Sequence, residues 1–207
     1  MTGAISNQDL DPTVAGISNE RDGIDSGLPH LQARLGLTVK SWVCEQTIVL
    51  GAWGAVAQNE TDTVFNGEDE FDTWLVGIDV QVPIVNHLKL RGEAWAGTAL
   101  SDFRGGITQS INTATGEEID AVGGWAELVL EIGKKFTVAT GATVDDPDDD
   151  DLSTNNKSLN YSAYVSTKYD FGGGLKAGFD VIFWETQYVD TGLGNTVRFD
   201  LYTQFDF

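Results

Sequence analysis

The chain has 207 residues, enough for one sizeable domain, and a formal net charge of −20 from 32 acidic and 12 basic residues. That balance excludes the basic face a nucleic-acid partner requires and disfavours adsorption onto an anionic membrane surface. Glycine is abundant at 24 residues and proline scarce at 4, which suits short alternating strands better than helices. Cys44, the single cysteine, excludes a disulfide scaffold and reads as an inert residue near a turn. His30 and His87 lie far apart, lack metal-ligand spacing and read as polar residues at strand ends. No run approaches the ~20 apolar residues of a transmembrane helix. The segment 48–57 is the longest, and Gly51 and Gly54 interrupt it. The opening residues carry no signal-type region, so a membrane-spanning chain must cross with strands, its targeting sequence lying outside these residues.

Residues 1–27 read as a polar, acidic loop segment with a short strand near Thr13–Ile17, and 28–207 as one β domain. Alternation predicts strands over 31–40, 47–58, 73–82 and 87–97, with Pro83 ending the third because it has no N–H to donate. Five more follow over 124–133, 136–145, 159–170, 175–188 and 197–207. In the first, Leu31, Ala33, Leu35, Leu37 and Val39 oppose Gln32, Arg34, Gly36, Thr38 and Lys40. In the last, Val197, Phe199, Leu201, Thr203, Phe205 and Phe207 oppose Arg198, Asp200, Tyr202, Gln204 and Asp206. Successive side chains of a strand point to opposite faces, and a helix would scatter both sets around its axis.

Most of these strands approach the ~9–11 residues that cross a bilayer at a tilt. Their connections alternate in length. Segments 41–46, 83–86, 133–135 and 171–174 are short, whereas 59–72, 98–122 and 146–158 are long and 189–195 is intermediate. Transmembrane barrels show that asymmetry; a soluble sandwich has no reason to gather its long loops at one end. Together with residues 1–27, these longer segments hold most of the acids and few bases, namely Arg21, Arg104 and Lys157. The polar strand faces carry Arg34, Lys40, Lys89, Arg91, Lys168, Lys176 and Arg198 against Asp79, Glu93, Glu127, Glu131, Asp180, Asp200 and Asp206. A water-filled lumen tolerates such a face, while a dry core would not. The alternative is a soluble sheet with these charges on its solvated side. Trp42, Trp74, Phe136, Tyr161, Tyr169, Phe171, Phe205 and Phe207 fall near strand ends, where aromatic belts meet the two lipid boundaries.

The terminal strand 197–207, Gly123-Gly124-Trp125-Ala126 after the long loop, the Asp145-Asp146-Pro147-Asp148 loop and the Trp74 strand ending in Val82-Pro83 carry a resemblance. The chain resembles the C-terminal portion of porin-like outer-membrane β-barrels of Gram-negative bacteria. The resemblance implies an all-β, antiparallel up-and-down transmembrane barrel. About nine or ten strands are counted here, within a barrel of about 16–18 if others lie upstream. It implies an outer-membrane location, contact with outer-membrane lipids, passage of small hydrophilic solutes and a homo-oligomer. It also implies that the barrel-insertion machinery reads Phe199, Leu201, Phe205 and Phe207. A single-chain bacterial barrel has an even strand count, so nine strands point to a strand uncounted or lying elsewhere.

The pore-lining candidates are Arg34, Lys40, Asp79, Lys89, Arg91, Glu93, Glu127, Lys168, Lys176, Asp180, Arg198 and Asp200. Arg34, Lys89, Arg91 and Arg198 set against Asp79, Glu93 and Asp200 would form a transverse field, as charged rings do in selective pores; ordinary lumen lining is the alternative. The run 145–151 offers the hard oxygens Ca²⁺ prefers, but it lacks the spaced ligands, central glycine and closing glutamate of a defined loop. It reads as a solvated acidic loop that concentrates cations at a pore mouth. No catalytic set, cofactor motif or metal site emerges, and the glycine pairs precede no helix that would cradle phosphate. A non-conducting structural or adhesive barrel and a soluble β-sandwich or ligand-binding barrel remain as other readings.

Overall fold

A computed structural model describes residues 29–207. The segment expected to hold the loop and the short strand near Thr13–Ile17 lies outside the described residues. Eleven strands follow in order: β1 (Leu31–Lys40), β2 (Thr47–Phe65), β3 (Glu68–Val85), β4 (Leu88–Thr98), β5 (Ile111–Asn112), β6 (Glu117–Glu118), β7 (Asp120–Ile132), β8 (Phe136–Pro147), β9 (Lys157–Gly172), β10 (Leu175–Tyr188) and β11 (Gly192–Phe205). Nine form a single antiparallel sheet in the order β1-β2-β3-β4-β7-β8-β9-β10-β11, each strand beside its sequence neighbour; β5 and β6 form a separate small hairpin. This is the up-and-down meander of a barrel wall. Its edges are β1 and β11, and among the described residues no strand pairs with the outer side of either.

The register puts the alternating residues on two consistent faces. One face carries Leu35, Ala52, Ile78 and Ala94 in one cross-strand row, and Val144, Tyr161 and Ala163 beyond it. Its large side chains are unusually open: Leu35 is 80 % exposed, Ile78 61 %, Phe199 65 % and Leu201 82 %. No second layer covers this face among the described residues, which rules out a sandwich, where the same residues would form the inter-sheet core. Aromatic residues collect towards both strand ends. Tyr169 stands edge-on to Phe171 at 4.9 Å near the short turns and is paired with Phe136; Tyr161 packs on Phe183 at 6.0 Å near the long loops. Trp42 lies in the β1–β2 connection, 85 % exposed.

Three boundaries differ from the sequence expectation for physical reasons. The acidic loop expected over 59–72 is instead a continuation of β2 and β3 as a two-stranded ribbon, paired through Asn59–Phe71 and Glu60–Glu70. Asn66 and Gly67 close it with φ of 52° and 101°, the left-handed pair of a tight hairpin turn that Asn-Gly favours. Pro83 lies within β3, where a register shift between Pro83 and Val85 removes the need for its missing N–H. Gly192 and Gly194, expected in a loop, begin β11 and pair with Tyr188 and Thr186. The short connections at 41–46 and 133–135 fall as expected, while those expected over 83–86 and 171–174 tighten to turns at 86–87 and 173–174.

Candidate functional site

The second face of the sheet carries the charges. Each sequence-predicted lining residue falls on it: Arg34 and Lys40 on β1, Asp79 on β3, Lys89, Arg91 and Glu93 on β4, Glu127 on β7, Lys168 on β9, Lys176 and Asp180 on β10, and Arg198 and Asp200 on β11. Five of the seven bases, Arg34, Lys89, Arg91, Lys176 and Arg198, pair with acids of the same sheet. Arg34 forks onto Asp79, Nε to Oδ2 at 3.0 Å and Nη2 to Oδ1 at 2.6 Å. Arg91 donates from both Nε and Nη2 to Glu127 Oε1. Lys89 meets Glu131 at 2.9 Å, Lys176 meets Asp206 at 2.6 Å, and Arg198 meets Asp200 on its own strand at 2.8 Å. Glu93 has no hydrogen bond or ion pair among the described residues, though it lies near enough to act on the Arg34 charge. Asp180 buries an Oδ1 that has no hydrogen-bond partner among the described residues.

Two of these contacts cross an intervening strand, and in each a glycine makes room. Arg34 on β1 reaches Asp79 on β3 over Gly51 of β2, where an added Cβ would collide with both side chains. Tyr164 on β9 reaches over Gly141 of β8 to donate from its hydroxyl to Glu127 Oε2 on β7, at 2.9 Å. Glu127 is thus 8 % exposed and hydrogen-bonded through both oxygens. A buried carboxylate stripped of one donor destabilises by about 1–2 kcal/mol. Tyr164→Phe should therefore lower the unfolding free energy of the detergent-folded protein by that amount in a urea titration. A change under ~0.3 kcal/mol would show that Arg91 alone satisfies Glu127.

Above this face lies the 99–119 segment, which folds inward over the sheet. Leu100 is fully buried and packs with Ala55, Leu75 and Ala121, with Trp53, Trp95 and Phe103 around them. Asp145, on β8, accepts the backbone N–H groups of Gly106 at 2.9 Å and Ile107 at 2.8 Å. Gln109 exchanges hydrogen bonds with the Lys157 backbone, Asn112 Nδ2 donates to the Asp151 carbonyl and Asn66 Nδ2 donates to the Thr115 carbonyl. The segment is therefore anchored from the β2–β3 ribbon across to β9. Ala99, Arg104, Ile107 and Thr108 all have positive φ, between 52° and 63°. For a β-branched residue such as Ile107 that conformation is strained and persists only where surrounding contacts hold it. His30, just before β1, stacks on Phe103 at 5.7 Å and lies 3.6 Å from the buried Asp102 carboxylate.

The sequence singled out the charged residues but not the aromatic ones between them. On this face Trp53 lies against Gly77, Trp95 against Gly123 and Tyr202 against Gly178, each on the adjoining strand. The available signal was an aromatic at a polar-face position paired with a glycine one strand away. The acidic run is bound into the loops rather than simply solvated: Asp148 Oδ1 accepts from the Asp150 amide and Asp151 Oδ2 from the Asp120 amide. Phe199 stacks on Phe179 at 6.4 Å on the apolar face, with Leu201, Phe205 and Phe207 exposed.

A single antiparallel meander with one exposed apolar face and one charged face is the wall of a transmembrane β-barrel. Structural comparison finds the same fold in the outer membrane channel DcaP of Acinetobacter baumannii, with a TM-score of 0.74 and 14 % sequence identity, over 88 % of this chain and 52 % of that one. At that identity the likeness establishes the fold, and this chain spans about half the length of the channel it matches. No protein-family model matches the sequence, and no curated protein matches it.

Proposed function

We propose that this chain forms part of the wall of an outer-membrane channel for passive diffusion of small hydrophilic solutes in a Gram-negative bacterium. The observation that carries the reading is the separation of the two faces. Leu35, Ile78, Val165 and Leu201 present open apolar surface on one side, and the paired charges, aromatics and infolded segment occupy the other. Lipid solvates the first face and water the second. Arg34, Lys40, Asp79, Lys89, Arg91, Glu93, Glu127, Lys168, Lys176, Asp180, Arg198 and Asp200 then line the lumen. The DcaP likeness supports this reading through the printed description of that protein as an outer membrane channel.

Unpaired strand edges are not viable in hydrocarbon. The working barrel therefore pairs β1 and β11 with further strands, from the same polypeptide or from a second copy. With the short turns on the periplasmic side, Phe199, Leu201, Phe205 and Phe207 form the signal read by the barrel-insertion machinery. The infolded 99–119 segment narrows the lumen from the outer end. The same segment also favours a second reading, a barrel plugged by its own loop with a structural or adhesive role. Planar-bilayer recording of the detergent-folded protein distinguishes the two. Discrete conductance steps are expected; a silent bilayer with correctly folded protein would defeat the pore and leave the plugged barrel.

A further inference from the structure

We infer that the lumen face holds a binding site for an organic cation, built on Glu93 and the aromatic rings around it. A cavity of about 700 Å³ opens on this face, with Trp53, Phe103 and Trp125 in its lining beside Arg34, Asp79 and Glu93. That volume lies in the ~300–1,000 Å³ range of small-molecule sites. The local charge decides what it takes. Arg34 is already forked on Asp79, and Arg91, also in the lining, is forked on Glu127. Each guanidinium is thereby balanced by one carboxylate. Glu93, close enough to feel the Arg34 charge, is the lining acid that has neither hydrogen bond nor ion pair among the described residues.

Glu93 stands directly opposite Trp125 on β7 and Asp79 on β3, a register that sets the Cβ atoms of Glu93 and Trp125 ~4.5–5.5 Å apart, and both side chains line the cavity. A carboxylate bordered by aromatic rings is the environment that recognises an ammonium group carrying apolar substituents. The charge meets the carboxylate, and the substituents and cation meet the π faces. An anion would meet two guanidinium groups whose charge Asp79 and Glu127 already offset, and it would be repelled by Glu93. A metal ion would find in the lining one carboxylate outside an ion pair and the neutral amides of Gln32 and Gln81, fewer hard oxygens than divalent cations take. The inference deepens the channel reading and rests on it: solutes crossing this face meet the site.

The test uses calorimetry and tryptophan fluorescence on the full chain folded in detergent, with choline, its neutral isostere 3,3-dimethyl-1-butanol, and benzoate as probes. Choline is expected to bind about tenfold or more tightly than the isostere and to shift tryptophan emission. Glu93→Gln should abolish the preference and Trp125→Leu should weaken choline binding, with both variants checked for folding by heat-modifiable gel mobility. Equal binding of choline and the isostere, preference for benzoate, or full retention of the preference in Glu93→Gln would each overturn the site. The first two comparisons need no variant, so a misfolded mutant leaves the test standing. Conductance measured on the same preparation separates this outcome from failure of the channel itself: steps without choline preference sink only the cation site.

Discussion

In the proposed channel, Asp145→Ala should raise single-channel conductance and make the segment around residues 104–110 a protease site. Asp145 supplies both acceptors for the Gly106 and Ile107 amides, at 2.9 and 2.8 Å. These bonds to a charged acceptor contribute ~1.5–3 kcal/mol each. They also hold Ile107 at φ 52° and Thr108 at φ 61°, a conformation that costs ~1–3 kcal/mol per residue when nothing enforces it. Removing the carboxylate frees that strain and leaves two amides seeking water. A net loss of ~3 kcal/mol raises the population of the displaced segment on the order of 100-fold. Leu100 and the Gln109–Lys157 exchange remain, so the change stays local and the sheet keeps its stability. Asp145→Asn, which keeps one acceptor oxygen, should fall between. Unchanged conductance together with unchanged proteolysis in the alanine variant would show that Leu100 and Gln109 suffice to hold the segment.

The two faces were legible in the sequence because side-chain alternation is a local property. Leu31 to Lys40 and Leu175 to Tyr188 were predicted to the residue. The ribbon at the tips of β2 and β3 was not, since Glu60, Asp62 and Glu68 to Glu70 carry loop composition; the Asn66-Gly67 turn was the signal that pointed the other way. That Arg34, Asp79, Arg91 and the other charged candidates share one face was legible too, but their partners were not. Arg91 meets Glu127 in place of Glu93, and Arg34 meets Asp79 across a whole strand. Pairing depends on register and on where a glycine opens a path, and neither Gly51 nor Gly141 announces that role in sequence. The infolded segment lay furthest from view, because its principal hydrogen-bond anchor, Asp145, is 38 residues beyond Ile107 and looked like the start of an acidic run.

The assignment of faces makes its sharpest demand at Val165 and Ser166, adjacent residues near the middle of β9. Val165 lies between Thr140 and Val181 on the apolar face and is 47 % exposed. Ser166 lies between Ala139 and Asp180 on the charged face. An arginine at position 165 would sit in the hydrocarbon near the bilayer centre, where the cost is ~2–4 kcal/mol. One position on, an arginine at 166 would enter water opposite Asp180, whose Oδ1 has no partner among the described residues. An open ion pair there is worth ~0–1 kcal/mol. Val165→Arg should therefore lower folding free energy into lipid vesicles by ~2–4 kcal/mol, while Ser166→Arg changes it by under ~1 kcal/mol. In detergent-free buffer a soluble sheet with the same strands would tolerate Val165→Arg as an exposed surface change. Equal effects of the two substitutions in vesicles would mean that lipid does not contact the Val165 face. The reversed order would exchange the two faces and with them every lumen residue from Arg34 to Asp200.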